Sequence, residues 1–295
     1  MVGTDTTSTT YAMNTTYATG TPYATDTTDP TLSGPHHTAH GAGGTHRAAY
    51  GGTGRGAAAS GETAGTRRLI VLTMPEPTVR ALHEGGYTLS LCHAVGCDQG
   101  GGAPLVWATI REFAATTTLA WTAETYVCTT AASVPGAAHR RGSGSPGRTR
   151  LHPVRAGQIV AAGPDAVPVP CPHPGDPAAV TVLNSTRAPY SCGLAQTPPA
   201  GGDGLPAPYC AFPLHGGHLV FLTPLPRITL AFGTRPLRPG SPAGDIVGPT
   251  VLVDLARPGP AHLGFDLHRG WSSRDNRTTA LGLGALTGAL IEPTG

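Results

Sequence analysis

From Arg67 onward the apolar residues fall into short runs, most with a period of two, whereas residues 1–66 hold almost nothing that could form a core. Leu69-Ile-Val-Leu72 reads as a first strand. Glu76 to His83 predicts two helical turns, with Pro77 in the first turn and Gly85-Gly86 as the stop. From Tyr87 the period is two: Tyr87, Leu89 and Leu91 lie on one face, with Thr88, Ser90 and Cys92 on the other. Leu105 to Phe113 suits a strand between two layers, and Thr117, Leu119, Trp121 and Ala123 alternate with polar neighbours. Further strands are predicted over 158–162, 179–183, 218–222, 227–232, 250–255 and 262–267, with a Pro-rich break over 167–177. No βαβ alternation is visible, which excludes a dinucleotide-binding fold. The expected fold is all-β, an antiparallel sandwich of roughly eight to ten strands spanning 67–295.

Composition sharpens this picture. Gly (42) and Pro (30) make up close to a quarter of the 295 residues, and all 19 basic residues are Arg. Lys is absent, which matches the codon bias of a GC-rich bacterial genome. Gly or Pro recurs before a long helix could complete, while strands need only five or six residues between turns. Residues 1–66 are Thr, Gly, Ala and His, and are expected to be a disordered tail, because they cannot bury enough apolar area to offset their conformational entropy. Within them Tyr11, Tyr17 and Tyr23 recur six residues apart in a short repeat, read as low-complexity drift rather than an adhesive device. Residues 134–150 read as a flexible Gly/Ser/Pro/Arg loop, and its cluster Arg140, Arg141, Arg148 and Arg150 as solvated rather than phosphate-binding.

The net charge of +2 argues against nucleic acid as a partner. No signal peptide of the Sec type and no transmembrane segment is legible, so the expected location is cytoplasmic, or outside the cell by another route. The six Cys are widely spaced with no C-x-x-C unit, which argues against zinc. A Cys192–Cys210 bridge would fit only an exported chain.

The strands Gly86-Tyr-Thr-Leu-Ser-Leu-Cys92, Leu105-Val-Trp107, Leu119-Ala-Trp-Thr-Ala-Glu-Thr-Tyr126 and Leu222-Thr-Pro-Leu-Pro-Arg-Ile-Thr-Leu-Ala-Phe232 follow one another in a telling order. In that order they resemble an uncharacterised family of small all-β proteins found in bacteria and fungi. The resemblance covers about residues 67–270 and implies a β domain. It carries no activity and no catalytic residues. The Thr-rich tail, the 134–150 loop and the Pro-rich middle depart from the family pattern.

Candidate chemistry is sparse. His262, Asp266 and His268 alternate with Leu263, Phe265 and Leu267, so on a strand they share one face. An Asp and a His about 7 Å apart could act as acid and base, although alternation on the wet side of a sheet looks identical. His215-Gly-Gly-His218 could share a metal but lacks a third ligand, and reads better as a turn. His36, His37, His40 and His46 lie in the tail, without a fold to fix their geometry. Cys92 and His93 are adjacent, which on a strand sends them to opposite faces, a poor arrangement for a nucleophile and its base. Trp107 and Trp121 sit within apolar alternation and read as core, leaving Trp271 as the candidate surface aromatic. The sequons at Asn14, Asn184 and Asn276 are expected by chance in a Thr-rich chain.

These residues assign no catalytic group, no metal and no cofactor. The favoured expectation is a non-catalytic module that binds a carbohydrate, a protein or copies of itself, with His262, Asp266, His268 and Trp271 as candidate contacts. A membrane-active (lytic) sandwich and a hydrolase using the His262/Asp266/His268 face are the alternatives.

Overall fold

A computed structural model describes residues 66–131, 149–199, 204–282 and 284–294. The Thr/Tyr tail, most of the expected 134–150 loop and the tail histidines lie outside the described residues. In chain order the elements are β1 (Arg67–Thr73), α1 (Glu76–Glu84), β2 (Thr88–Cys97), β3 (Ala103–Pro104), β4 (Ala108–Ile110), β5 (Thr116–Thr122) and β6 (Thr125–Thr130). There follow β7 (Arg150–Val154), β8 (Gln158–Ala162), β9 (Pro168–Pro174), β10 (Val180–Asn184), β11 (Tyr190–Gln196), β12 (Ala207–Pro208) and β13 (Cys210–Leu214). The chain closes with β14 (Leu219–Gly233), β15 (Thr250–Asp254), β16 (Ala261–Asp266), β17 (Gly270–Ser273), β18 (Thr278–Leu281), α2 (Leu286–Leu290) and β19 (Ile291–Pro293).

The all-β class follows from the two-residue period, as expected. The strands are more numerous than the sequence suggests: β3, β4, β12 and β19 are two or three residues long and too short to show a period, and longer strands such as β7, β11 and β13 lie outside the predicted ranges. The helix predicted at Glu76 forms, with Pro75 as N-cap and Gly86 leaving it at φ 66°. Two expectations need correction. Leu105 to Phe113 is not one strand, since only Ala108–Ile110 within it pairs as β4. The Pro-rich stretch is not a break, because Pro168–Pro174 forms β9 against β8. Pro alternates with Val169, Cys171 and His173 there, and β9 pairs on one side only. An edge strand that lacks every second N–H can still complete a single ladder.

The strands form three sheets. The first runs β17-β16-β1-β5 and the third β3-β13-β11-β6-β7, with β12 on β11. The second, of nine strands, runs β18-β15-β14-β10-β8-β9 and adds β2, β4 and β19. Pairing is antiparallel except for β1 with β16, β10 with β8 and β19 with β2. Strand β14, 15 residues long, is the spine of this second sheet. It pairs along its length with β2, and with β10 and then β15 on the other edge. The two strands predicted at 218–222 and 227–232 are therefore one strand interrupted by a bulge. Pro224 opposes Val95 and Ile228 opposes His93, so β14 spends four residues where β2 spends two. Pro224 and Pro226 lack an N–H to donate, which releases the ladder there.

One apolar core joins the sheets. Ile70, Leu119 and Phe265 come from the first, Leu91, Val182 and Phe232 from the second, and Val127, Leu194 and Phe212 from the third. Where β11 crosses this core, a Cβ on Gly193 would lie 2.0 Å from the Cys210 carbonyl oxygen. Backbone cannot yield there as a flexible side chain would. Gly193→Ala is expected to lower stability by about 1–3 kcal/mol through overpacking. Gly244→Ala, with nothing within 4 Å, should stay within about 0.5 kcal/mol of the parent. Urea midpoints of the two variants check this difference.

Candidate functional site

The three sheets meet around His93. Its place on β2, between Leu91 and Val95, turns it into the main core, while Cys92 and Ala94 face a second, smaller cluster with Val106 and Leu286. Cys92 and His93 thus point apart, as the strand period predicts. Trp107 stands edge-on to the His93 ring at 4.3 Å, Tyr209 lies at 5.0 Å and Trp121 at 5.9 Å. Trp107 is anchored by donating from Nε1 to the backbone oxygen of Gln196 at 2.9 Å. Both tryptophans are core residues, as their apolar alternation suggests.

Beside this cluster is a cavity of about 280 Å³. Each sheet delivers part of its wall. The first brings Arg68 and Trp121, which are direct cross-strand neighbours on β1 and β5. The second brings His93 and the bulge residues Pro224 to Arg227. The third brings Gln196, at the end of β11, and Tyr209. Hydrogen bonds brace the rim: Arg68 Nη1 donates to Leu255 O at 2.6 Å, and the Leu255 amide donates to Pro226 O at 2.7 Å. Arg227 is held by an ion pair to Glu292 on β19.

The wall is polar in an unusual way. His93 Nε2, Trp121 Nε1 and Gln196 Oε1 are buried and have no hydrogen-bond partner among the described residues. The three side chains belong to residues only 7%, 5% and 5% exposed. A buried polar group without a partner costs about 1–3 kcal/mol, so three in one wall need an explanation. Burial pushes the His93 imidazole down to about 3, and the nearby Arg68 guanidinium pushes the same way. His93 is therefore neutral at physiological pH. A larger groove, about 450 Å³, runs between Ala108, Pro198, Pro206 and Pro239, and none of the unpaired buried atoms belongs to its lining.

The residues expected from the sequence lie elsewhere. His262 is exposed on β16. His268 does not share its face: β16 ends at Asp266, and 267–269 form the turn to β17. The reason is Gly270, which at φ 74° lets the chain reverse, and Asp266 itself. Asp266 Oδ1 accepts the amides of His268 at 2.8 Å and Arg269 at 3.0 Å. Those amides hold its carboxyl below the usual carboxylate range. Asp266 thereby forms the turn. Trp271 packs on Phe265 and Phe232, with its Nε1 donating to Pro249 O at 2.9 Å. It is half-buried rather than a free surface aromatic.

His215 and His218 flank a turn with Gly217 at φ 72°, their rings 5.8 Å apart. No group of three His, Cys, Asp or Glu among the described residues could hold a metal ion. All six Cys are free thiols, including Cys192 and Cys210. The Asn184 side chain is buried and spends its amide on Ala188 O and Leu214 O, so it is no glycosylation acceptor. Arg150 belongs to β7 rather than to a loop. No helix among the described residues is long and apolar enough to cross a membrane.

The His93 cavity escaped sequence reasoning. Trp107 and Trp121 were visible as paired large aromatics, but nothing local marks Gln196 or Tyr209, which come from distant strands. Comparison of the chain with protein-family models, with curated proteins and with solved structures finds no match.

Two outcomes follow from burial alone. Burial raises Cys92 and Cys128 to about 12 and Cys97 to about 11, and lifts Cys192 and Cys210 further above the ordinary thiol range. Only Cys171, half-exposed on the edge strand β9, should react rapidly with a thiol reagent in the native protein. Titration with Ellman's reagent should release about one thiol equivalent before denaturation and all six afterwards. The second outcome concerns acid. His93 titrates near 3 when folded, but near 6.5 when unfolded. Between those values the unfolded chain holds a proton that the folded chain lacks, so stability rises with pH and is lost as pH falls below about 6.5. His93→Phe should remove up to about 1.4 kcal/mol per pH unit of that loss between pH 6 and pH 4.5, read from urea midpoints.

Proposed function

We propose that this domain is a non-catalytic binding module that takes a small organic molecule in the His93 cavity. The observation that carries this reading is that three residues holding unpaired buried polar atoms, one from each sheet, line one cavity. A ligand with matching donors and acceptors would complete those hydrogen bonds and gain apolar contact with Trp121, Tyr209 and the bulge prolines. At about 280 Å³ the cavity stands at the small end of ligand pockets, with room for about nine waters at ~30 Å³ each. The ligand is therefore a single ring or short chain rather than an oligosaccharide.

The titration of the wall favours binding over chemistry. A general acid or base works best with a pKa near the operating pH, and His93 lies far below it. The Tyr209 phenol, raised by burial, lies far above it. The resemblance to an uncharacterised β family belongs with this reading, since it implies a β domain and no activity.

A thermal-shift screen of single-ring compounds tests the proposal. A ligand at 100 times its Kd stabilises by about 2.7 kcal/mol, which for a domain this size raises Tm by roughly 5–10 °C. Ala123→Trp, at the rim beside Trp121, is expected to abolish that shift while leaving the β-type circular dichroism unchanged. A shift that survives Ala123→Trp would place the ligand elsewhere and overturn the reading.

A further inference from the structure

We infer that the ligand of this cavity is a small organic carboxylate that also carries a hydrogen-bond donor; the inference rests on the reading of the His93 cavity as a binding site. Its ground is the charge of the wall. Two guanidinium groups, Arg68 and Arg227, line the cavity, and no Asp or Glu does so among the described residues. Arg227 has Glu292 as its counter-ion. Arg68 has no carboxylate partner among the described residues, and donates from Nη1 to the Leu255 carbonyl. A guanidinium carries five N–H donors, so this one bond leaves a fork able to grip a carboxylate.

Position makes Arg68 selective. It is half-buried and directly opposite Trp121 in the β1–β5 pair, and its field reaches the His93 ring. A cation partly withdrawn from water with no counter-ion favours an anion more strongly than a surface Arg does. Glu292 already neutralises Arg227 and His93 is neutral, so Arg68 offers one free positive charge, which matches a monocarboxylate better than doubly charged phosphate. The remaining groups set the rest of the ligand. Trp121 Nε1 is a donor and suits a carboxylate oxygen. Gln196 Oε1 is an acceptor and calls for a hydroxyl or N–H on the ligand. The Tyr209, Trp121 and Pro226 walls suit a flat or apolar body between the two ends.

Isothermal titration of the full chain with 4-hydroxybenzoate, its uncharged isostere 4-hydroxybenzamide, and inorganic phosphate reads this directly. The carboxylate is expected to bind at least about tenfold more tightly than the amide, the difference between a charge-assisted and a neutral hydrogen bond. Phosphate should not compete. Arg68→Gln should erase the preference, weakening the carboxylate by at least about tenfold more than the amide, and Arg68→Lys should keep part of it. The Lys variant keeps the test decisive if the Gln variant fails to fold. Equal binding of carboxylate and amide, both lost in Ala123→Trp, would overturn the anion inference and leave the cavity reading standing. Competition by phosphate would also overturn it. If neither aromatic compound binds at its solubility limit, both readings fall.

Discussion

Strand β14 cannot keep one continuous ladder with β2, and the site exists because of that. Pro224 and Pro226 have no N–H to give, so the strand bulges between Pro224 and Ile228. The bulge moves residues 224–227 into the rim of a cavity. The displaced carbonyl of Pro226 is satisfied by the Leu255 amide, and Leu255 in turn accepts from Arg68. One irregularity in one strand thereby ties the second sheet to the first.

Charge and burial are coupled around that irregularity. A His surrounded by two tryptophans and a tyrosine pays for the loss of water by staying neutral, and the Arg68 guanidinium reinforces the choice. Several buried polar groups elsewhere find partners. Asn184 donates to the nearby Ala188 carbonyl and to the distant Leu214 carbonyl and accepts two bonds from Thr186, and Trp107 finds Gln196 O. Among the described residues Thr181 Oγ1 and Arg150 Nε are also unpaired, and the His93, Trp121 and Gln196 atoms differ from them in belonging to residues that line one cavity. Polar groups left without partners around one cavity call for an explanation.

Helix α1 and strand β2 were legible because their signals are local: Pro77 and Gly85-Gly86 bound the helix, and the period of two runs unbroken from Tyr87 to Cys92. Strand β9 was not, because a Pro at every second position reads as a break until one knows that the strand has only one neighbour. His268 was assigned to the wrong face because alternation in sequence continues through residues that the chain spends on a turn. Gly270 was the available signal, together with an Asp two and three residues ahead of the amides it accepts.

The sequence by itself determined that the described chain is built of strands, that Trp107 and Trp121 are interior, and that Cys92 and His93 part company. These depend on periodicity and composition, which act between near neighbours. Only the tertiary structure decided which strands adjoin and hence what surrounds His93. Arg68, His93, Gln196 and Tyr209 come from four strands or loops scattered over more than 140 residues, and no local preference encodes their meeting. That meeting is fixed by non-local register, in which Arg68 faces Trp121 and Ile228 faces His93 across a bulge. Register is set by the summed burial of whole faces, a quantity that belongs to the folded chain and to no segment of it.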